Sequence, residues 1–479
     1  MVLRRIRQRL APWHRRLAWL VVLPVLAWSL SGLLHPVMSR WQPSAAAMMV
    51  PPMFLAPPAD TAWSDFPSPN QTLPADWQMR EVRAVTWQDQ PYWQVQLSDG
   101  SVSQVHAKTG EVVDLTQDIV THLARHYTGE QRAAVSLSVV NEFSSEYSVI
   151  NRYLPVYRVA FDRPDGLIAF VEPRSLQLAG LTDDWKTQFG TFFRAMHNWS
   201  WWPHAPSRAW VMAGLLSLAL IVAVSGIVRA WPSSVKRRKP HVWHRRIGLV
   251  VALAAFAWFS TGALHALVMN SRVGGFQTYP LVTYFTADQL AAKAPSDVPE
   301  GARLQIVSGP NGPLWYWHQL VRAATDDAHA HHGHSAPRTL NAAYFGATNG
   351  EPVQAERYWA ALAQPVAGQA HLLSVKPITG FFPEYGFVQK RLPVQQLTFH
   401  TADNLTVYVD PADAAVASVV RDLDRVEGLS FAYLHKVQFL DPIIGKDARD
   451  AVAGVFAAMI FSLTLMGLWM LRRRTLRND

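Results

Sequence analysis

The chain has 479 residues, 49% of them hydrophobic, no cysteine and a formal net charge of +9, a length that suits about three domains of roughly 150 residues each. The missing cysteine excludes disulfides, iron–sulfur clusters, thiol chemistry and any cofactor tethered through a thioether. The positive charge is not a nucleic-acid footprint: segments 1–16, 229–246 and 472–479 hold 17 of the 44 Lys and Arg but one of the 35 Asp and Glu, and the 27 basic and 34 acidic residues left make the remainder mildly acidic.

In chain order, the basic segment 1–16 leads into an apolar stretch, 17–38, that contains no Asp, Glu, Lys or Arg. Stretches 209–228, 247–270 and 451–471 share that property, and each is near the ~20 residues a helix needs to cross a hydrocarbon core. Four spans are therefore expected, with a basic loop at 229–246 and a basic tail at 472–479. The positive-inside rule places those basic segments and both termini on the cytoplasmic side, and the long regions 39–208 and 271–450 outside. A cleaved secretory signal ending near Ala45–Ala47 is discounted, because the apolar run is too long and a second copy of it lies mid-chain.

In the outer regions short runs alternate in the manner of strands. Tyr92–Val113 reads as two strands joined at Asp99-Gly100 and ended by Thr109-Gly110, and Asn341–Val353 is a weaker echo. Polar, helix-permissive stretches such as Leu115–His126 and Thr286–Ala294 lie between such runs. Small α+β modules are expected there.

The chain repeats itself. Trp13–His35 and Trp243–His265 agree at 11 of 23 positions. Further on, "YLPVYRVAF" (Tyr153–Phe161) recurs as "RLPVQQLTF" (Arg391–Phe399), "AFVEP" ending at Pro173 as "VYVDP" ending at Pro411, and "FFRAMH" ending at His197 as "FAYLH" ending at His435, all at one offset of 238 residues. Ser225-Gly226-Ile227 likewise answers Met466-Gly467-Leu468. Two tandem units of the same topology imply a pseudo-twofold axis along the membrane normal, across which matching residues can meet.

These motifs together resemble bacterial inner-membrane proteins with PepSY domains and PepSY-associated transmembrane helices. The resemblance rests on His14-Arg15 and His244-Arg245, on the Ser/Thr-Gly-x-x-His exits Ser31–His35 and Thr261–His265, on the strand and turn ending in "TGEVV", on the Leu-Pro-Val strands followed by Val-Glu/Asp-Pro, and on His197 and His435. It implies a membrane protein of four transmembrane α-helices in two tandem repeats with two periplasmic α+β PepSY-like regions. Some members of the family resemble haem-containing reductases of ferric siderophores, and others are known as iron-regulated membrane proteins. This chain lacks the flavin and nicotinamide modules fused to certain relatives. The resemblance thus implies haem b, two groups by the count of histidine pairs, a ferric siderophore or other ferric chelate as substrate, and a separate donor, either quinol or a cytoplasmic reductase.

Histidines at membrane depth call for a reason, and neutral imidazole is a common haem ligand. His14 and His35 are 21 residues apart, about 31 Å along a helix, and His244 and His265 repeat the separation. His14 with His244 and His35 with His265 are the natural axial pairs. The alternative for His14 and His244 is anchoring at the cytoplasmic headgroups. Gly32 and Gly262, three residues before the outer histidines, favour close approach of a flat ligand or of another helix. Trp28 and Trp258 fall near the histidine face at mid-span, as a possible electron relay. His197 and His435 are alternative outer ligands, or line the access for substrate, or hydrogen-bond a neighbouring domain.

The tract "HAHHGH" offers His329, His331, His332 and His334 as weak metal ligands. "HNWSWW" (His197–Trp202) and "WYW" (Trp315–Trp317) suit either the bilayer interface or an aromatic or hydroxamate-type ligand. Two rival functions remain: a non-enzymatic PepSY sensor or regulator of extracytoplasmic proteolysis, and a metal or small-molecule transporter. No carboxylate lies inside any span, which disfavours ion-coupled transport.

Overall fold

A charge-free run in hydrocarbon has no water to satisfy its backbone and must close its own hydrogen bonds as helix. The computed structural model describes residues 2–132, 134–230, 239–271, 283–322 and 338–475. Its helices are α1 (Val2–Arg40), α2 (Thr116–Thr128), α3 (Asp184–His197), α4 (Ala205–Ala230), α5 (Lys239–Val250), α6 (Ala252–Ser271), α7 (Ala355–Ala367), α8 (Asp422–Ser430) and α9 (Asp441–Thr475). A single π-helical turn, Phe431–His435, follows α8.

Two bodies form. The helical body comprises Met1–Gln42, Trp185–Gly275 and Leu423–Asp479. Three of its helical stretches, Gln8–Arg40, Ala205–Ala230 and Gln438–Arg473, are long and apolar enough to cross a membrane. The fourth expected span, 247–270, is not one straight helix: α5 and α6 meet at Val251 with a bend of 63°. Helix α1 packs on α4 and α9, α4 on α6, and α5 on α9. Val21, Val25, Trp28, Leu216, Ala219, Val251, Ala255 and Ile460 form the core, while Leu20, Leu23, Ile221, Leu253 and Val455 point outward. A helix bundle apolar on both its inner and outer faces suits lipid.

The second body comprises Pro43–Asp184 and Phe276–Asp422. Regions expected as separate outer modules thus share one fold, and residues from Trp185 and Leu423 onward join the helical body instead. The join is a seven-stranded antiparallel sheet in the order β11 (Arg338–Gly346), β10 (Gly312–Arg322), β9 (Arg303–Gly309), β1 (Met79–Trp87), β2 (Gln90–Leu97), β3 (Val102–His106), β4 (Val112–Val113). Its centre is the β1–β9 pair, with Val82 opposite Ile306 and Arg83 opposite Gln305. Two four-stranded antiparallel sheets accompany it. One is β5 (Ala134–Val140), β6 (Val156–Phe161), β7 (Ile168–Glu172) and β8 (Gln177–Thr182) against α2; the other is β12 (Leu372–Ile378), β13 (Val394–Phe399), β14 (Thr406–Asp410) and β15 (Ala415–Val420) against α7. The turn at Asp99-Gly100 holds, because Gly100 takes φ 87°, which costs a side-chain-bearing residue energy.

Candidate functional site

The six helix-associated histidines singled out in the sequence, and Glu427 beside one of them, all lie in the helical body. At the N-terminal side of α1, His14 Nδ1 lies 3.1 Å from the Val222 carbonyl and 2.8 Å from Ser225 Oγ. A carbonyl only accepts, so Nδ1 carries the proton and Nε2 is a bare lone pair. Helix α4 comes close because residue 226 is glycine: a Cβ there would sit 3.3 Å from His14 Cε1. The same approach recurs on α9, where a Cβ on Gly467 would sit 3.4 Å from His244 Cε1. His244 Nδ1 faces the Leu463 carbonyl but closes no hydrogen bond of good geometry with it. His14 and His244 lie within electrostatic reach of one another.

The opposite end of the body carries a file of six rings. Centroid separations run His35 to Phe193 5.0 Å, Phe193 to His197 4.6 Å, His197 to His435 6.3 Å, His435 to Phe431 4.7 Å, and Phe431 to His265 4.2 Å. The two histidines that meet are therefore His197 and His435, at an interplanar angle of 83°. His35 and His265 stand at the two ends of the file. Phe193 and Phe431 each precede a histidine by four residues, one helical turn. That spacing is visible in "FFRAMH" and "FAYLH", and sequence reasoning passed over it.

Tautomers at this end are fixed as well. The Ser31 hydroxyl donates to the Ala27 carbonyl (2.8 Å), so its oxygen accepts from His197 Nδ1–H (3.0 Å). The Thr261 hydroxyl donates to the Ala257 carbonyl (2.6 Å) and accepts from His435 Nδ1–H (3.1 Å). Glu427, 5% exposed, accepts from His265 Nδ1–H at 2.5 Å. His197, His435 and His265 thus present Nε2 lone pairs, as His14 does. Burial, helped by the neighbouring His35 and His265, pushes His197 down to about 4. Burial, with His197 beside it, takes His435 to about 3. Both are neutral near pH 7, the state that binds a metal. Ser31 and Thr261 stood in the Ser/Thr-Gly-x-x-His motif as sequence, without a role. Glu427 left no signal, since its counterpart 238 residues earlier is Phe189.

Trp28 and Trp258 both belong to the packed core of the helical body. Trp28 is buried, donates from Nε1 to the His197 carbonyl (3.1 Å), and stacks on Trp199 at 5.4 Å and 8°. Trp199 in turn stacks on Trp201 at 6.1 Å. Trp258 packs half-buried in the body's core. A Cβ on Gly262 would lie 3.4 Å from Leu216 and 3.8 Å from His435 Cε1, whereas Gly32 has open space around it. His329, His331, His332 and His334 lie outside the described residues. Among the described residues no group of three or more His, Asp or Glu could hold a bare metal ion.

A set of neutral imidazoles with Nδ1–H committed to a fixed acceptor is the arrangement that orients histidine for metal ligation through Nε2. No curated protein and no solved structure matches the chain. Residues 75–307 match the family model described as the PepSY-associated TM region, the family that the sequence motifs resemble.

Proposed function

We propose that the chain is a haem b protein of the bacterial inner membrane that transfers electrons to a ferric chelate, such as a ferric siderophore, on the periplasmic side. The observation that carries this reading is the committed tautomer of His14, His197, His265 and His435, four Nε2 lone pairs in a body of membrane-length helices. These residues fit haem: the pairs lie toward both ends of the spans, and no cysteine is needed. His14 and His244 would hold an inner group, and two of His35, His197, His265 and His435 an outer one. When bound, haem supplies reversible one-electron exchange.

The chain's own part is to ligate, to bury and to orient. Ser225, Ser31, Thr261 and Glu427 hold the imidazoles in one tautomer, and Phe193 and Phe431 wall the outer histidines. The basic segments 1–16, 229–246 and 472–479 favour a cytoplasmic side for both termini by the positive-inside rule, and the donor in this reading is a quinol or a cytoplasmic reductase. Reduction of Fe(III) to Fe(II) weakens its hold on hard oxygen ligands and releases the metal.

A visible spectrum of the purified protein, oxidised and then dithionite-reduced, tests the reading. The expected result is a bis-histidine haem b signature with a Soret shift on reduction, and a colourless preparation from haem-replete cells overturns it. In oriented proteoliposomes a ferric chelate should reoxidise the reduced protein from the periplasmic face. Reoxidation from the cytoplasmic face alone would refute the direction.

A further inference from the structure

The second body encloses a group of charges that no metal or electron chemistry requires. Arg83 donates from Nε to Glu81 at 3.1 Å, with both side chains at most 5% exposed. Arg174 pairs with Asp413 at 2.8 Å and Glu172 at 3.4 Å, and Arg391 with Asp410 at 2.9 Å and with Asp413. Arg303, largely buried at the start of β9, has no carboxylate within 4 Å among the described residues. Arg80 lies beside Arg174 and Arg391 and likewise lacks one. Five guanidiniums thus face four carboxylates, an excess of one positive charge.

A cavity of about 20 Å³ keeps that excess in its own lining, where Arg83, Arg303 and Arg391 stand against Asp410 and Asp413, with His318 beside them. His318 is the cross-strand partner of Arg303 on β10. It is 5% exposed, and its Nδ1 is buried without a hydrogen-bond partner. Burial and the adjacent Arg303 and Arg83 hold His318 well below its ordinary range, so it enters as a neutral imidazole and not as a cation; facing an anion, that ring would turn its N–H toward it. Burial and Arg83 push Arg303 down to about 10, the mark of a guanidinium without its counter-charge. An uncompensated buried charge and an unpartnered buried ring nitrogen each cost free energy. One particle answers both.

We infer that this cavity is a binding site for a single monatomic anion, chloride in the cell, held between Arg303 and His318. A space of this size admits one water-sized particle and excludes phosphate, sulfate or a carboxylate. Water matches the volume but leaves the charge in excess. The site draws Arg83 from β1 and Arg303 and His318 from β9 and β10, so the ion stitches the central β1–β9 join from which the seven-stranded sheet is built. It stands independently of the haem reading.

The test is thermal unfolding of the full-length protein in detergent at fixed ionic strength, in sodium chloride, bromide, gluconate or sulfate. Chloride and bromide should raise the midpoint in a saturable manner, with gluconate and sulfate giving none of that rise. Arg303→Gln should require at least tenfold more halide for half the effect. Identical midpoints in all four salts overturn the inference. Should Arg303→Gln fail to fold, bromide-soaked crystals of the unaltered protein decide: an anomalous peak between Arg303 and His318 supports the site, and its absence there refutes it.

Discussion

The helical body holds two versions of one histidine arrangement, and they differ in what supports the ring. In the first version Ser225 adds a hydroxyl to the carbonyl that holds His14; in the second Met466 takes that place, and His244 Nδ1 is left unpaired. At the other end the order reverses. His265 has a buried carboxylate, Glu427, while Phe189 stands at the matching position before His35. A backbone feature is shared: Trp199 and Val437 both take left-handed φ, 52° and 54°, yet only the tryptophan stacks on a partner, Trp28. The backbone has kept its near-symmetry, and side chains at a few positions have made the two sites unequal.

The largest effect expected is with pH. His197 and His435 sit near 4 and 3 when folded, against an ordinary value of about 6.5. Below pH 6.5 the unfolded chain therefore binds protons that the folded chain refuses. Stability is intact above that pH and falls as pH drops, by up to about 1.4 kcal/mol per pH unit for each group. Thermal unfolding of the haem-free protein against its His197→Asn and His435→Asn variants should show both contributions waning from pH 6.5 to 4. Below pH 4 only that of His435 should go on falling. Equal behaviour at all pH values would erase the distinction.

With haem bound as proposed, Glu427→Gln should weaken its binding at the outer site by about 10- to 100-fold, the usual result of losing a carboxylate behind a ligating histidine. Phe189→Leu should leave haem retention unchanged. Haem titration of the apoprotein checks both, and equal losses would show that the two halves are supported alike.

Val437→Gly should stabilise the body by about 1 kcal/mol, because a β-branched residue at positive φ carries strain that glycine does not. Ser225→Ala should cost about 1 kcal/mol, and Met466→Ser should give back a similar amount by supplying His244 with the missing partner. Chemical denaturation of the four chains tests these values. The smallest change is Trp199→Val, which copies the second half onto the first and removes about 0.5 to 1.5 kcal/mol of ring stacking. Its clearest readout is the loss of the Trp28–Trp199 contribution to near-ultraviolet circular dichroism.

Much of this was legible in the chain. Charge-free runs of about 20 residues, basic flanks and a 238-residue offset marked the spans and the matching strands, because hydrocarbon tolerates neither charge nor open backbone and a strand keeps its alternation. The histidines were legible as exceptions inside apolar runs. Gly226 and Gly467 were visible as a matched pair, and the structure gives the cause: each admits an imidazole against its helix.

Which histidines meet was decided by the fold. His35 and His265 close matching spans and stand at the two ends of the ring file, and the contact between His197 and His435 on the segments between them had no mark in the sequence. The pairing of β1 with β9 was equally hidden, since hydrogen bonding between strands more than 200 residues apart leaves no local mark. Periodicity, charge and repeat are local or self-referential properties, and the sequence by itself determined the spans, the strands and the set of candidate ligands. Contacts between distant segments depend on how helices and sheets pack, and only the tertiary structure decided the ring file, the Glu427 support and the buried guanidinium at Arg303.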